Sequence, residues 1–137
     1  MTTEEWLDGY PYQLKLISVL EKKKSELLGD ATRTTKYITD EPRGKTYESA
    51  NEKYLSKVEE VSEQIRIAKK TVTDIENAIY SVENPKYRIL LIMKYMFGES
   101  WENISETLGM SDKTVRERIS FKAIKAVEKI IKEREIK

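Results

Sequence analysis

The sequence contains neither cysteine nor histidine. Their absence excludes zinc sites built from thiolate or imidazole ligands, cysteine nucleophiles and histidine general bases. Carboxylates alone can catalyse some reactions, but no acidic pair stands out from the general charge. We therefore expect no catalytic residue, no metal site and no cofactor, and we expect that the protein is not an enzyme.

Glycine, proline and long apolar runs are also scarce. The 137 residues include five Gly and three Pro, and 36% of them are charged, a composition that favours helices over strands. The longest aliphatic run, Ile89 to Met93, is too short to span a bilayer, and the N-terminus lacks the basic and apolar segments of a signal peptide. These features predict a soluble, cytoplasmic, all-α protein.

Positive charge is concentrated in one segment of the chain. The net charge of the whole is +1, but residues 113–137 contain nine Lys or Arg against four Asp or Glu, which gives +5. The two preceding segments, 1–80 and 81–112, each carry −2. A local basic face is typical of phosphate binding, although a solvated helix surface has a similar composition.

The N-terminal part predicts a helical hairpin. Residues 3–28 have helical periodicity with an interruption near Gly9, and residues 29 to about 48, rich in Thr, Asp and Gly, predict a loop. The following helix, 49–83, carries apolar residues spaced alternately by four and three, as in a coiled coil. These seam residues are Tyr54, Val58, Val61, Ile65, Ala68, Val72, Ile75, Ile79 and Val82.

The length of this seam predicts self-association. A helix over 49–83 is ~50 Å long and one over 10–29 only ~30 Å, so the first helix covers part of the seam. The remainder needs the C-terminal head or a second copy of the chain, and so regular a seam favours a copy of equal length. We expect a homodimer or larger assembly through Val58–Val82, with residues 1–83 as the oligomerisation region and residues 84–137 as the head.

Capping residues divide the head into three helices. Asn84, followed by a proline, suits the start of an apolar helix that ends at Gly98. Ser100 suits the N-cap of a short helix from Trp101 to Leu108, and Ser111 suits the N-cap of a last helix.

The last two helices have the pattern of a helix-turn-helix. Such a motif needs a small residue where the helices touch, a left-handed residue at the turn and apolar anchors on the inner face. The residues that meet these needs are Ile104, Ser105, Leu108, Gly109, Met110 and Val115. One position departs from the pattern, because Arg118 stands three residues after Val115, where an apolar residue is expected. Ile119 can still share the face of Val115, and Trp101 is expected in the core.

Two interpretations of this block remain open, a DNA-binding head and a helical bundle that only closes a core. The motif and the basic segment after it favour DNA binding. On the outer face, Arg116 can donate to guanine O6 and N7, and Glu117 can accept from cytosine N4. Lys113, Lys122 and Lys125 suit phosphate contacts, which position the helix without specifying a base.

Further candidate contacts lie at the start of the last helix. Ser111 and Thr114 can meet a phosphate there, because free amides and the helix dipole favour an anion. The complete set of candidate DNA contacts is Ser111, Asp112, Lys113, Thr114, Arg116, Glu117, Ser120, Lys122 and Lys125.

The block from Tyr87 to Val127 resembles region 4 of bacterial sigma factors, with an apolar helix, the segment GESWENISETLGMS and a basic helix that begins DKTVRER. The layout of nearly the whole chain is similar to phage late-gene transcription regulators of the ArpU/RinA type, with an N-terminal helix, a Thr-rich loop, a heptad helix and this head. The resemblance implies promoter binding in phages and prophages of low-GC bacteria, inside the host cytoplasm, and activation of packaging or lysis genes.

Two other functions are compatible with the sequence. Small terminase subunits of phages also combine helix-turn-helix heads with helical oligomerisation segments, but they usually place the head first. A head like region 4 can also dock on RNA polymerase and barely contact DNA. Binding to random duplex DNA separates docking from DNA recognition, because phosphate contacts give a steep salt dependence.

Overall fold

The computed structural model describes the backbone of residues 1–40 and 44–136 and the side chains of residues 1–30 and 52–134. Within these ranges every regular element is a helix, which confirms the all-α prediction. None of the helices in these ranges combines the length and the apolar content that a membrane span needs.

Two helices form the N-terminus and are separated at Gly9, as the sequence predicts. Helix α1 spans Thr3–Asp8 and begins with a capping box. In this box the Thr2 hydroxyl accepts a hydrogen bond from the Glu5 N–H at 3.1 Å, and the Glu5 carboxylate accepts one from the Thr2 N–H at 3.3 Å. Helix α2 spans Tyr10–Asp40 and has a proline in its first turn, where the missing N–H breaks no helical hydrogen bond.

The long helices extend into the segment predicted to be a loop. Helix α3 spans Gly44–Tyr80, so helix covers most of residues 29–48, and residues 41–43 lie outside the described part. The loop prediction was wrong because Thr, Asp and Gly each lower helix propensity by at most ~1 kcal/mol relative to Ala, which the neighbouring helical turns outweigh. Helix α2 therefore has 31 residues and α3 has 37, and the expectation that the first helix is too short to cover the seam is also wrong.

The chain forms two compact units, of which one contains residues Leu14–Lys70. This hairpin unit contains α2 from residue 14 to its end and α3 from its start to residue 70. Glu21 and Lys69 form an ion pair of 3.2 Å between the two helices. Ile65 and Ala68, both from the predicted seam, are buried in the unit.

The second unit, which we call the head unit, contains residues Met1–Gln13 and Thr71–Lys137. It therefore includes α1 and the end of α3 as well as the predicted head. The Tyr10 hydroxyl donates to Glu76 at 3.1 Å, and Arg134 donates to the Ser81 hydroxyl at 2.9 Å. Its largest fully buried side chains are Leu7, Ile75, Ile79, Val82, Leu90, Leu91, Ile104, Val115 and Val127.

The C-terminal helices follow the predicted order. Helix α4 spans Pro85–Leu91 and continues as a π-helical turn over Ile92–Met96. Helix α5 spans Trp101–Leu108. The last helix, residues 112–136, contains a second π-helical turn over Thr114–Ile119 and then α6, Ser120–Ile136. The fold is thus a helical hairpin together with a C-terminal helix-turn-helix, as predicted.

Most of the heptad seam is covered by the chain itself. The seam residues that expose no more than 8% of their surface are Ile65, Ala68, Val72, Ile75, Ile79 and Val82. Val58 and Val61 are half-buried. Contact of the seam with a second copy stays a prediction, and the length argument for it no longer applies. The division of roles at residues 83 and 84, between oligomerisation and DNA binding, also stays a prediction.

Candidate nucleic-acid interface

Capping residues fix the ends of the supporting helices. The Asn84 side chain accepts hydrogen bonds from two N–H groups in the first turn of α4, at 2.9 and 3.4 Å. The chain turns after this helix at Gly98, whose φ of +65° is a conformation that glycine adopts without steric cost. Ser100 then caps α5 by accepting a backbone N–H at 3.2 Å. All three positions match the sequence prediction.

The turn between α5 and the last helix is closed by Gly109, with φ +67° and ψ 34°. The Met110 N–H donates to the Ser105 carbonyl at 3.0 Å, and the Gly109 N–H donates to the carbonyl three residues earlier at 3.2 Å, which together form a Schellman motif. The Ser111 hydroxyl then accepts the Thr114 N–H at 3.2 Å and starts the next helix. The predicted stop and restart are therefore confirmed.

The two helices of the motif meet through small and apolar side chains. Ile104 and Val115 are fully buried, and Ser105 is 5% exposed, so that the small residue lies where the helices touch. The Ser105 hydroxyl donates to the Asp112 carboxylate and lies 2.9 Å from the Glu102 carbonyl. Asp112, a predicted DNA contact, thus holds the start of the last helix against α5.

The π-helical turn changes the register of the last helix. The Ser120 N–H donates to the Val115 carbonyl, five residues earlier, so the turn contains one residue more than an α-helical turn. The buried side chains that follow are consequently spaced by five, three and four, at Val115, Ser120, Ala123 and Val127. The prediction that Ser120 contacts DNA is wrong, because the added residue rotates its side chain into the core.

Most of the other predicted contacts lie on the surface. The exposed members of the set are Ser111, Asp112, Lys113, Arg116, Glu117, Lys122 and Lys125. Thr114 is half-buried, and its hydroxyl accepts a hydrogen bond from the Ser111 hydroxyl at 2.8 Å. The motif therefore leaves a group of cations, two carboxylates and a capping hydroxyl pair at the surface of the last helix.

Arg116 lies beside Trp101, at the start of α5. Its guanidinium carbon is 5.8 Å from the centroid of the Trp101 ring, and the Lys94 ammonium is 5.0 Å from the same centroid. Both distances fall in the range of a cation–π interaction. Trp101 is half-buried and was expected to be a core residue, but it also forms a platform for these two cations.

Local charge pairs organise the basic end of the helix. Glu128 forms ion pairs with Lys132 at 3.2 Å and with Lys125 at 3.9 Å. The hydrogen bond from Lys132 and then the charges of Lys125 and Lys132 lower the pKa of the Glu128 carboxyl. Lys125 also lies 5.4 Å from the centroid of the Phe121 ring, so its position along the helix is held by two neighbours.

Two exposed residues of the last helix were missed by sequence reasoning. Arg118 is exposed, although ordinary helical spacing from Val115 directs it toward the core, and Phe121 is 61% exposed. The sequence gives no clear signal of the extra residue, because Ile119 stands at the ordinary spacing of four from Val115. Across the described part of the chain, no cluster of acidic side chains forms a candidate metal site.

Comparison with known proteins identifies the same segment. Residues 84–121 match the family Sigma-70, region 4, and this range contains α4, α5, the Gly109 turn and the second π-helical turn. No curated protein and no solved structure matches the chain. The match confirms the predicted resemblance for the head: residues 84–121 form a helix-turn-helix similar to sigma region 4, a DNA-binding and non-enzymatic module of the transcription machinery.

Proposed function

We propose that the protein is a sequence-specific, double-stranded DNA-binding regulator of transcription. The observation that carries this proposal is the geometry of the motif: a Schellman turn at Gly109 and a buried contact at Ser105 present one exposed, cation-rich side of the last helix. We call the helix over residues 112–136 the recognition helix. Its exposed side is suited to the major groove, which admits one α-helix.

The contacts divide into base readers and phosphate contacts. Arg116 donates a bidentate pair to guanine, and Glu117 accepts from cytosine. Lys113, Lys122 and Lys125 bind phosphates. The amides at the start of the recognition helix approach a further phosphate near Ser111 and Thr114, while Asp112 positions the helix through Ser105.

A salt titration tests this function. Wild-type protein is titrated with random-sequence duplex at several salt concentrations, and the logarithm of the binding constant is plotted against that of the salt concentration. Phosphate contacts give a steep negative slope, since each releases condensed counterions. A flat slope favours docking on a protein instead.

We further propose that the regulated genes belong to a phage or prophage and that the protein activates late genes for packaging or lysis. The similarity of the chain layout to regulators of the ArpU/RinA type supports this assignment. Footprinting on the DNA that flanks the gene itself, followed by transcription from that template with and without the protein, is the direct test. Protection without an increase in transcription argues for repression.

RNA polymerase is a second proposed partner. The match to sigma region 4 supports it, and so does Phe97, which lies 70% exposed after the end of the first π-helical turn. A Phe97→Ser variant should lose binding to purified bacterial RNA polymerase and keep its affinity for random duplex. Loss of both activities contradicts a separate polymerase surface.

For self-association we propose a surface on the hairpin unit. Leu14, Leu16 and Val19 are 44%, 43% and 65% exposed, because a two-helix hairpin covers only one stripe of each helix. Pairing of two hairpins in a four-helix bundle covers these exposed apolar side chains.

A charge in this surface tests the proposal. Val19→Asp should convert a dimer to a monomer in sedimentation, while Ser18→Asp, at an exposed neighbour, should not. A monomeric wild type at micromolar concentration contradicts the proposal, and rings of many copies favour a small terminase subunit.

A further inference from the structure

The second π-helical turn decides which side chains of the recognition helix face outward. In an ordinary helix each residue advances by about 100°, so the residue three after a buried position lies about 60° from it and the residue five after lies about 140° away. From Val115, regular geometry therefore places Arg118 near the core and Ser120 on the outer face. The structure has the opposite arrangement, with Arg118 exposed and Ser120 buried.

The extra residue in the turn is the physical cause of this exchange. The hydrogen bond from the Ser120 N–H to the Val115 carbonyl spans five residues, which brings those two residues onto one side of the helix. A serine is small enough to pack there, and an arginine is not. The helix thus buries the Ser120 hydroxyl and leaves the Arg118 guanidinium exposed.

Arg118 lies among other candidate contacts. Together with Lys113, Thr114 and Glu117 it lines one shallow surface groove. Among the described residues, none forms an ion pair with Arg118. Its donors are therefore available to an acceptor outside the chain, within the first two turns of the recognition helix, where base contacts are made in helix-turn-helix proteins.

We propose that Arg118 is a specificity-determining residue that contacts a base edge in the major groove, from the exposed position that the π-helical turn gives it. The inference rests on the proposed DNA-binding function. Guanine is the base it selects, since the planar guanidinium matches the O6 and N7 acceptors with two parallel hydrogen bonds. The neighbouring Glu117 cannot supply this contact, because a carboxylate only accepts.

The test compares two variants on two DNA probes. One probe is the duplex that wild-type protein selects from a randomised library, and the other is a random-sequence duplex. Arg118→Ala should weaken binding to the selected duplex by about 5- to 150-fold and leave binding to the random duplex within a small factor. Arg118→Lys keeps the charge but not the planar fork, so it should lose most of the same preference. Lys129→Ala, which removes an exposed cation further along the helix, is the matched control.

The outcomes separate this inference from the function on which it rests. Equal weakening on both probes by Arg118→Ala, with rescue by Arg118→Lys, means a phosphate contact and overturns base recognition. Variants that bind the selected duplex as wild type does overturn the inference and leave the DNA-binding function intact. A wild type that binds neither probe overturns the function and this inference with it.

A second measurement tests the register without DNA. Ser120→Glu places a charge in the buried position and should lower the thermal midpoint of unfolding by several degrees. Arg118→Glu, at an exposed position, should leave that midpoint nearly unchanged. The reverse order of the two midpoints would mean that the helix has regular geometry here and would overturn the proposal.

Discussion

Helix α3 and the recognition helix bury their side chains with different periods. Along α3 and the residues that follow it, the buried residues of the predicted seam, from Ile65 to Val82, are spaced by three and four, and Ala78 is buried beside them. The recognition helix starts with a step of five, from Val115 to Ser120. A regular period lets each face be assigned by counting, whereas one π-helical turn shifts every assignment after it.

The exposed faces of the two helices also differ in how their charged side chains are paired. The exposed face of α3 carries solvent-directed charges such as Arg66, which pairs with Glu63 at 2.6 Å on the surface. Exposed pairs of this kind contribute little to stability. The first turns of the recognition helix instead present Lys113, Arg118 and Lys122, which form no ion pair with the described residues. The comparison therefore predicts that mutations act through the core of α3 and through the surface of the recognition helix.

The largest expected effect is a loss of stability when a charge is placed in the buried seam of α3. Ile75→Asp should lower the free energy of unfolding by more than ~3 kcal/mol, because it places a charge at a position with no exposed surface. Denaturant unfolding followed by circular dichroism measures this, with Thr73→Asp, on the exposed side of α3, as the control. A variant that keeps its stability and only dissociates would show instead that Ile75 contacts a second copy.

A substitution that strains the Gly109 turn should abolish DNA binding while the hairpin unit stays folded. Gly109→Val has space for its Cβ, but a φ of +67° costs a residue with a side chain ~1–2 kcal/mol, and more for a β-branched one. The recognition helix should tilt, and DNA binding should be lost while the circular dichroism of the long helices is kept. Gly109→Asn, which tolerates this conformation, should retain binding. Wild-type affinity in the valine variant would contradict the helix-turn-helix assignment.

The third prediction separates the two kinds of contact on the recognition helix. Arg116→Ala should cost ~1–3 kcal/mol on the selected duplex and relax the preference at one base pair. Lys122→Ala should weaken all duplexes alike and flatten the salt slope, because it removes a phosphate contact. Titration of both variants against selected and random duplex measures the difference. If the two variants behave alike, this division of contacts is incorrect.

The smallest expected effect concerns the platform under Arg116. Trp101→Leu should weaken binding to the selected duplex by ~0.5–1 kcal/mol, since an exposed cation–π contact contributes about that much. In the background of Arg116→Ala the same substitution should have no further effect on DNA binding. A double-mutant cycle measures the coupling. Additive effects would mean that Trp101 acts on binding independently of Arg116.

The helices and their caps follow from local chemistry, so the sequence alone predicts them well. Asn84, Ser100 and Ser111 accept N–H groups of their own first turns, and Gly109 adopts the left-handed conformation that its neighbours require. The seam of α3 is likewise encoded by the spacing of its apolar residues. The loop prediction over 29–48 is wrong because weak helix propensity does not by itself end a helix when the turns on either side outweigh it.

Contacts between distant segments determine the features that capping and helical periodicity do not. The sequence by itself determined an all-α chain with a long heptad helix and a sigma-region-4-like helix-turn-helix, because caps and periodicity act between residues close in the chain. Which partner covers the seam, whether α1 shares a core with the head and which way Arg118 faces all depend on contacts between distant segments. Val115 in the π-helical turn has to reach the buried contact with α5 while α6 packs on α4, and the extra residue of that turn reconciles the two requirements.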